Sequence, residues 1–248
     1  NPLNGSSIFD GAVNASSASQ TNNQVILNAT PVATVSAVLD NPDPNNGANV
    51  SWTVSFSTPI AGLSNSNFGL ATAIGDASIT STTDQDGGTN WVVVVNTGTT
   101  DGNIGLNLTD GTTGLSHVIT NAPFTGPVYT IDKTPSAITT TALSGDNSYL
   151  DVTFSEGVFN SGSVAVTGGD FILSIAGGTA TSPVISSVRQ PDNVLEGSAS
   201  PLVGGETTVR VFFNYTGLAD GAETLTLNPL DGSSIFDGAV NASSASQT

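Results

Sequence analysis

The only side chains in this sequence that could do chemistry in number are its carboxylates. Asp and Glu total 20 against 3 Lys and Arg, with one His, no Cys and no Met. At most three carboxylates can therefore be neutralised by side-chain pairing, and the others call for cations from solvent. A hard ion suits such oxygen-only chemistry: Ca²⁺ takes about 6–8 oxygen ligands, and extracellular modules hold it at roughly 10⁻⁴–10⁻³ M. The candidate calcium ligands are Asp132 at a joint between segments, Glu156 at an expected strand end, and Asp237 with Asn241 in an Asp-x-x-x-Asn loop. The same loop occurs earlier as Asp10 and Asn14, and Asp40 with Asp43 lies in a further oxygen-rich stretch, Asp40-Asn41-Pro42-Asp43-Pro44-Asn45-Asn46. No EF-hand loop is present. The competing expectation is solvated acidic loops that keep the chain soluble.

The same composition removes whole classes of function. Without Cys there are no disulfides or thiolate metal sites, and the lone His117, between Ser116 and Val118, leaves little acid–base or zinc chemistry. Nothing in the spacing of the acids sets two carboxylates across a cleft, as glycoside cleavage requires, so no enzyme is expected. A formal charge of −17 opposes nucleic acid, whose phosphates need a run of cations, and equally opposes anionic lipid. Membrane insertion is not expected either. The longest apolar run, Trp91-Val92-Val93-Val94-Val95, has strand length and falls far short of the roughly 20 residues of a spanning helix. The first residues lack the basic start and apolar stretch of a signal peptide. With 37% hydrophobic and 9% charged residues, the chain is nonetheless too apolar for a disordered acidic tail.

The elements that must position these acids are strands. Val50, Trp52, Val54 and Phe56 alternate with Ser51, Thr53 and Ser55, and Ile104, Leu106 and Leu108 alternate with Gly105 and Asn107. Later, Leu150, Val152 and Phe154 alternate with Asp151 and Thr153; Val209, Val211 and Phe213 follow with Arg210 expected to face outward. This is the period-2 pattern of half-buried strands. The run at 91–95, apolar on both faces, predicts a central strand, with Trp52 and Trp91 in the core. Turn pairs such as Asp101-Gly102, Asp110-Gly111 and Asp220-Gly221 punctuate the runs every 8–15 residues, which predicts an all-β sandwich architecture.

An internal repeat sets the organisation. Residues 1–21 and 228–248 are identical except for Asn4 against Asp231, at an offset of 227. The economical expectation is a parent protein that repeats with that period, of which this chain covers one period plus the overlap. Within the period, Val25-Ile26-Leu27-Asn28-Ala29-Thr30-Pro31 parallels Tyr129-Thr130-Ile131-Asp132-Lys133-Thr134-Pro135. Each is a strand, an acid or amide, and a Thr-Pro joint whose proline breaks the ladder and holds its predecessor extended. The boundaries predicted are 1–30 for the last strand of a preceding domain, 31–132 for domain A, and 133–248 for domain B. Residues 22–28 follow the repeated segment at its first occurrence, so domain B is expected to lack its final strand.

Leu150-Asp151-Val152-Thr153-Phe154-Ser155-Glu156, Asp220-Gly221-Ala222-Glu223-Thr224-Leu225-Thr226 and Ser234-Ile235-Phe236-Asp237-Gly238-Ala239-Val240-Asn241-Ala242 resemble the tandem bacterial Ig-like repeats of giant cell-surface adhesins. The likeness is closest to the gliding-motility adhesins of Bacteroidetes. Domain A, with Trp52-Thr53-Val54-Ser55-Phe56-Ser57 and Asn67-Phe68, is similar to a second Ig-like subtype of such arrays, but has Thr58 where domain B has Glu156. The resemblance implies two tandem immunoglobulin-like sandwiches in an extracellular surface filament. Their partners would be neighbouring repeats, with an external surface or glycan beyond them, and calcium would stiffen the joints. The alternative is a calcium-dependent carbohydrate-binding module with a Trp platform; two buried Trp would count against it.

Overall fold

The computed structural model describes residues 8–15 and 30–247. The strand expected over residues 22–28 lies outside them. The described chain is all-β, its helical content being three single 3₁₀ turns. Its strands are β1 (Val32–Ala33), β2 (Val35–Leu39), β3 (Asn49–Phe56), β4 (Phe68–Thr72), β5 (Ser78–Asp84), β6 (Asn90–Asn96), β7 (Gly102–Leu108), β8 (Val118–Ile119) and β9 (Phe124–Ile131). Beyond Lys133 come β10 (Ile138–Leu143), β11 (Tyr149–Asn160), β12 (Phe171–Ala176), β13 (Thr181–Arg189), β14 (Glu206–Thr216), β15 (Thr224–Pro229) and β16 (Ile235–Phe236).

Alternation decides which side chains meet. In β3, Val50, Trp52, Val54 and Phe56 are buried while their neighbours are partly open. Strand β6 lies between β3 and β5, the central place expected of the Val run, and buries Trp91, Val93 and Val95. The sheet β2-β3-β6-β5 and the sheet β4-β7-β9 share one core that spans Ala33 to Ile131. In it Trp52 and Tyr129 meet edge to face at 4.8 Å, a contact that adds about 0.5–1.5 kcal/mol beyond burial. A second core, from Leu150 to Ile235, lies under the sheet β10-β11-β14-β13 and the pair β12-β15.

The two sets of strands follow one plan. Ser57 N–H donates to Thr34 O and Thr34 N–H to Ser57 Oγ; Ser155 and Ala137 exchange the same pair of bonds. A 3₁₀ turn with a capping box precedes β4 through Ser64 and Asn67, and another precedes β12 through Thr167 and Asp170. The sets differ at one edge. In the first, β9 pairs with β7; in the second, among the described residues, β15 pairs only with β12.

Arg210 departs from expectation. It points away from the core, as the alternation requires, yet it is 6% exposed. Its guanidinium is held bidentately by Asp151, with both N···O distances 2.7 Å, and donates to Asn193 O. It also stacks 3.8 Å above the Tyr149 ring. The segment around Asn193 covers it, which period-2 reasoning within a strand cannot foresee.

Candidate metal centre at the joint

Asp132 follows the last residue of β9, where the chain leaves the first core. Its own N–H donates to Asn45 O, and Asn45 N–H donates to Thr130 O, so the Asn/Pro loop at 40–47 splints the strand end. Lys133 fastens to the same loop, donating through Nζ to Asn46 O and Gly47 O. Asp101 receives the Lys133 N–H and the Thr134 hydroxyl, and that hydroxyl above all holds its carboxyl below the usual carboxylate range. The joint is thus short, and backbone and side chains hold it from both flanks.

Glu156 is placed by an irregularity. It sits inside β11 rather than at a strand end, within the stretch where pairing with β14 shifts register between Thr153 and Val158. Such a bulge re-aims side chains. Its cause is a close approach of two glycines: a Cβ on Gly157 would lie 2.5 Å from Gly205 O. Gly205, at φ +83, donates its N–H to Val158 O. No Cβ fits between these backbones, so the bulge depends on glycine at 157.

Asp237 comes from the loop after β16. Its Oδ1 accepts the N–H groups of Ala239 and Asn241 at 2.9 and 2.8 Å, which turns the loop back on itself through Val240 at φ +69. That conformation is costly for a β-branched residue. Asn241 Nδ2 donates to Asp132 O at 2.9 Å, tying the loop to the joint. Asp237 is 2% exposed, and its Oδ2 is buried with no hydrogen-bond partner. A buried carboxylate oxygen without a partner costs on the order of 1–3 kcal/mol, unless a ligand supplies one.

These three acids converge. Asp132, Glu156 and Asp237 each offer an oxygen, and all three oxygens lie within 4.8 Å of one another; no other such group of acids or His occurs among the described residues. Oxygens on opposite sides of a Ca²⁺ are about 4.6–5.2 Å apart, twice the usual bond length, so the spacing fits one shared ion. Among the described residues the one ion pair is Arg210 with Asp151, so no cationic side chain pairs with the cluster. The electrostatic result is mutual repulsion. Burial, then Asp132, then Asp237 raise Glu156 from 4.5 to about 7, and burial raises Asp132 as well. An open pocket of about 450 Å³, lined in part by Asp101, Asp132, Thr134 and Glu156, gives water and ions access. An all-oxygen donor set favours Ca²⁺ or Mg²⁺ over zinc, and the acids' distribution over three separate chain segments suits the looser geometry of Ca²⁺.

Of the candidate ligands, the structure brings together Asp132, Glu156 and Asp237. Asn241 stands beside them as the group that orients the loop. Asp10 and Asn14 form the same turn in isolation: Asp10 Oδ1 accepts the N–H groups of Ala12 and Asn14, and its Oδ2 takes Asn14 Nδ2. That turn is exposed, with Val13 at φ +66. Asp40 spends its carboxylate on Thr53 and Ser51, and Asp43 accepts from Thr130 N–H; both brace the loop. Asp101, which caps the joint, escaped notice in the sequence because Asp101-Gly102 reads as an ordinary turn. Both Trp are buried, with indole N–H groups bound to Pro127 O and Gly88 O. Comparison with family models, with curated proteins and with solved structures finds no match.

Proposed function

We propose that this chain is a structural segment of a long, repetitive cell-surface adhesin built from Ig-like sandwiches, and that Ca²⁺ bound by Asp132, Glu156 and Asp237 locks the joint between its two cores. The observation that carries the calcium reading is the convergence of three carboxylates where the chain passes from one core to the next, one of which, Asp237, keeps a buried Oδ2 without a hydrogen-bond partner. An ion there ties the end of β9, the bulge of β11 and the loop after β16 into one unit. It would convert a hinge into a stiff link, the property a force-bearing filament needs. The adhesin reading rests on the 227-residue repeat, the common plan of the two strand sets and the resemblance in sequence; gliding over a surface is the role that resemblance implies. The burial of Trp52 and Trp91 leaves neither indole as a platform for a sugar ring, which weighs against a carbohydrate-binding module.

Calorimetric titration of the full chain with Ca²⁺, paired with small-angle scattering, tests the site. One binding event of roughly 10⁻⁴–10⁻³ M, lost in Asp237→Asn and accompanied by a narrower distribution of particle lengths, is expected. Absence of binding at 10-fold higher Ca²⁺, with scattering unchanged by chelator, would remove the calcium lock.

A further inference from the structure

The second set of strands is entered and left by two segments that lie side by side. Asn241 Nδ2 donates to Asp132 O at 2.9 Å, Ser243 Oγ donates to Ser136 O at 2.9 Å, and the Gln247 side chain accepts the Ile138 N–H. Residue numbers rise together along both segments, so the two run in the same direction. Ser136 and Ser243 are 1% and 0% exposed, which keeps water from replacing their bond. The first set has the same arrangement. There β1 pairs with β8 in parallel, Val32 opposite Val118, and the Asn121 side chain accepts the Val35 N–H and donates to Val35 O.

Ties between parallel segments take load in a particular way. Tension along the chain pulls the entering segment back from Asp132 and draws the leaving segment onward past Ser243. The two must then slide past one another, and their ties bear the load together rather than one after another. Each hydrogen bond contributes only about 0.5–1.5 kcal/mol net, so the seam alone holds little. The carboxylate cluster stands at its head. Asp132 belongs to the entering segment, Asp237 lies four residues before Asn241 in the leaving one, and their oxygens and that of Glu156 lie within 4.8 Å of one another.

We propose that the ion held there closes the chain between Asp132 and Asp237 into a loop that tension bypasses, an inference that rests on the calcium reading above. Force arriving through β9 passes from Asp132 across the ion to Asp237 and on along the leaving segment. Residues 133–236, which hold every strand from β10 to β16, carry none of it. Their core meets the load only after the ion leaves. The shielded stretch is 104 residues long, which is about 340–370 Å of chain at full extension, so loss of the ion makes that length available in one step.

The absence of Cys lets force be applied to the full chain at chosen points through thiol-linked handles. One pair, Thr130→Cys with Ser246→Cys, both at exposed side chains, loads the seam. A second pair, Gly145→Cys with Gly197→Cys, where an added Cβ meets nothing within 4 Å, loads the strands inside the loop. At Ca²⁺ 100 times its dissociation constant, unfolding under constant force should slow by up to about 100-fold for the first pair, because the ion must leave before the seam yields. For the second pair the ion is still bound when the strands part, so slowing should stay below about threefold. Asp237→Asn should make both pairs indifferent to calcium. Equal slowing of both pairs would overturn the proposal, since calcium would then stabilise the whole body without diverting load. Unchanged rates for the first pair, with calorimetry showing the ion bound, would overturn the bypass and leave the calcium site standing. If calorimetry shows no binding, site and bypass fall together.

Discussion

Replacing Glu156 by Gln should stabilise the protein in chelator and shrink the stability that it gains from calcium. The carboxyl is raised from 4.5 to about 7, by burial first and by Asp132 and Asp237 next. For an acid raised on folding, the native state keeps a proton that the unfolded chain has lost. Stability in chelator therefore falls as pH rises from about 4.5 to about 7, and the whole penalty is present above 7. At about 1.4 kcal/mol per unit the ceiling is about 3.5 kcal/mol; Glu156 is partly open to solvent, and screening reduces this to about 1–2 kcal/mol. Glu156→Gln should recover that amount at pH 8, a rise of a few degrees in the melting temperature of the second core. Calcium at 100 times its dissociation constant should stabilise the wild type by about 2.7 kcal/mol and the variant by less than half of that. Thermal unfolding at pH 5 and pH 8, with calcium and with chelator, reads all four values. If Glu156→Gln lowered stability at pH 8 in chelator, the cluster would not be a site of repulsion; if the variant gained as much from calcium as the wild type, Glu156 would not be a ligand.

Gly157→Ala should cost about 2 kcal/mol or more, since its Cβ would fall 2.5 Å from Gly205 O and one backbone must move. Calorimetry should show calcium binding weakened about tenfold as Glu156 swings away. Asp151→Ala should cost about 2–3 kcal/mol in urea unfolding, because it leaves the buried Arg210 guanidinium without its carboxylate. Val240→Asn should raise stability by roughly 1 kcal/mol, since Asn tolerates the φ of +69 that a β-branched side chain resists; urea unfolding in calcium checks it.

Much of the fold was legible because its strands are half-buried and alternate strictly. Trp52 and Val93 occupy the core that their spacing predicted, and the Thr-Pro joint at Thr134-Pro135 lies between the two cores. The joint acid, the Asp-x-x-x-Asn loop and Glu156 were each visible as single candidates. What the sequence withheld was their convergence, because Asp132, Glu156 and Asp237 are brought together by a bulge and a loop that no period describes. The bulge has a local sign in Gly157, but its partner Gly205 is 48 residues away. Arg210 escaped for a similar reason: a covering loop, rather than its own strand, decides its burial. Asn241, expected among the ligands by residue type, also ties the loop to the joint through Nδ2 and the Asp132 carbonyl, a contact that residue type does not foretell.

The two occurrences of the Asp-x-x-x-Asn loop separate what the loop does from what the joint does. Both fold into the same turn, with Asp Oδ1 accepting two backbone N–H groups and Val at positive φ. At the first, Asn14 Nδ2 turns inward and takes Asp10 Oδ2. At the second, Asn241 Nδ2 donates to a carbonyl of the joint instead, and Asp237 Oδ2 is left without a partner in a cluster with Asp132 and Glu156. The turn is therefore a property of the five residues from Asp to Asn, but the unpartnered oxygen is a property of the junction. Only where a strand end, a bulge and this turn meet does a carboxylate lose its internal partner and gain two neighbours of like charge. Where Thr58 stands in place of Glu156 and Asn28 in place of Asp132, the same plan of strands would offer neither carboxylate. An array built on this period would then alternate joints that calcium can lock with joints that it cannot.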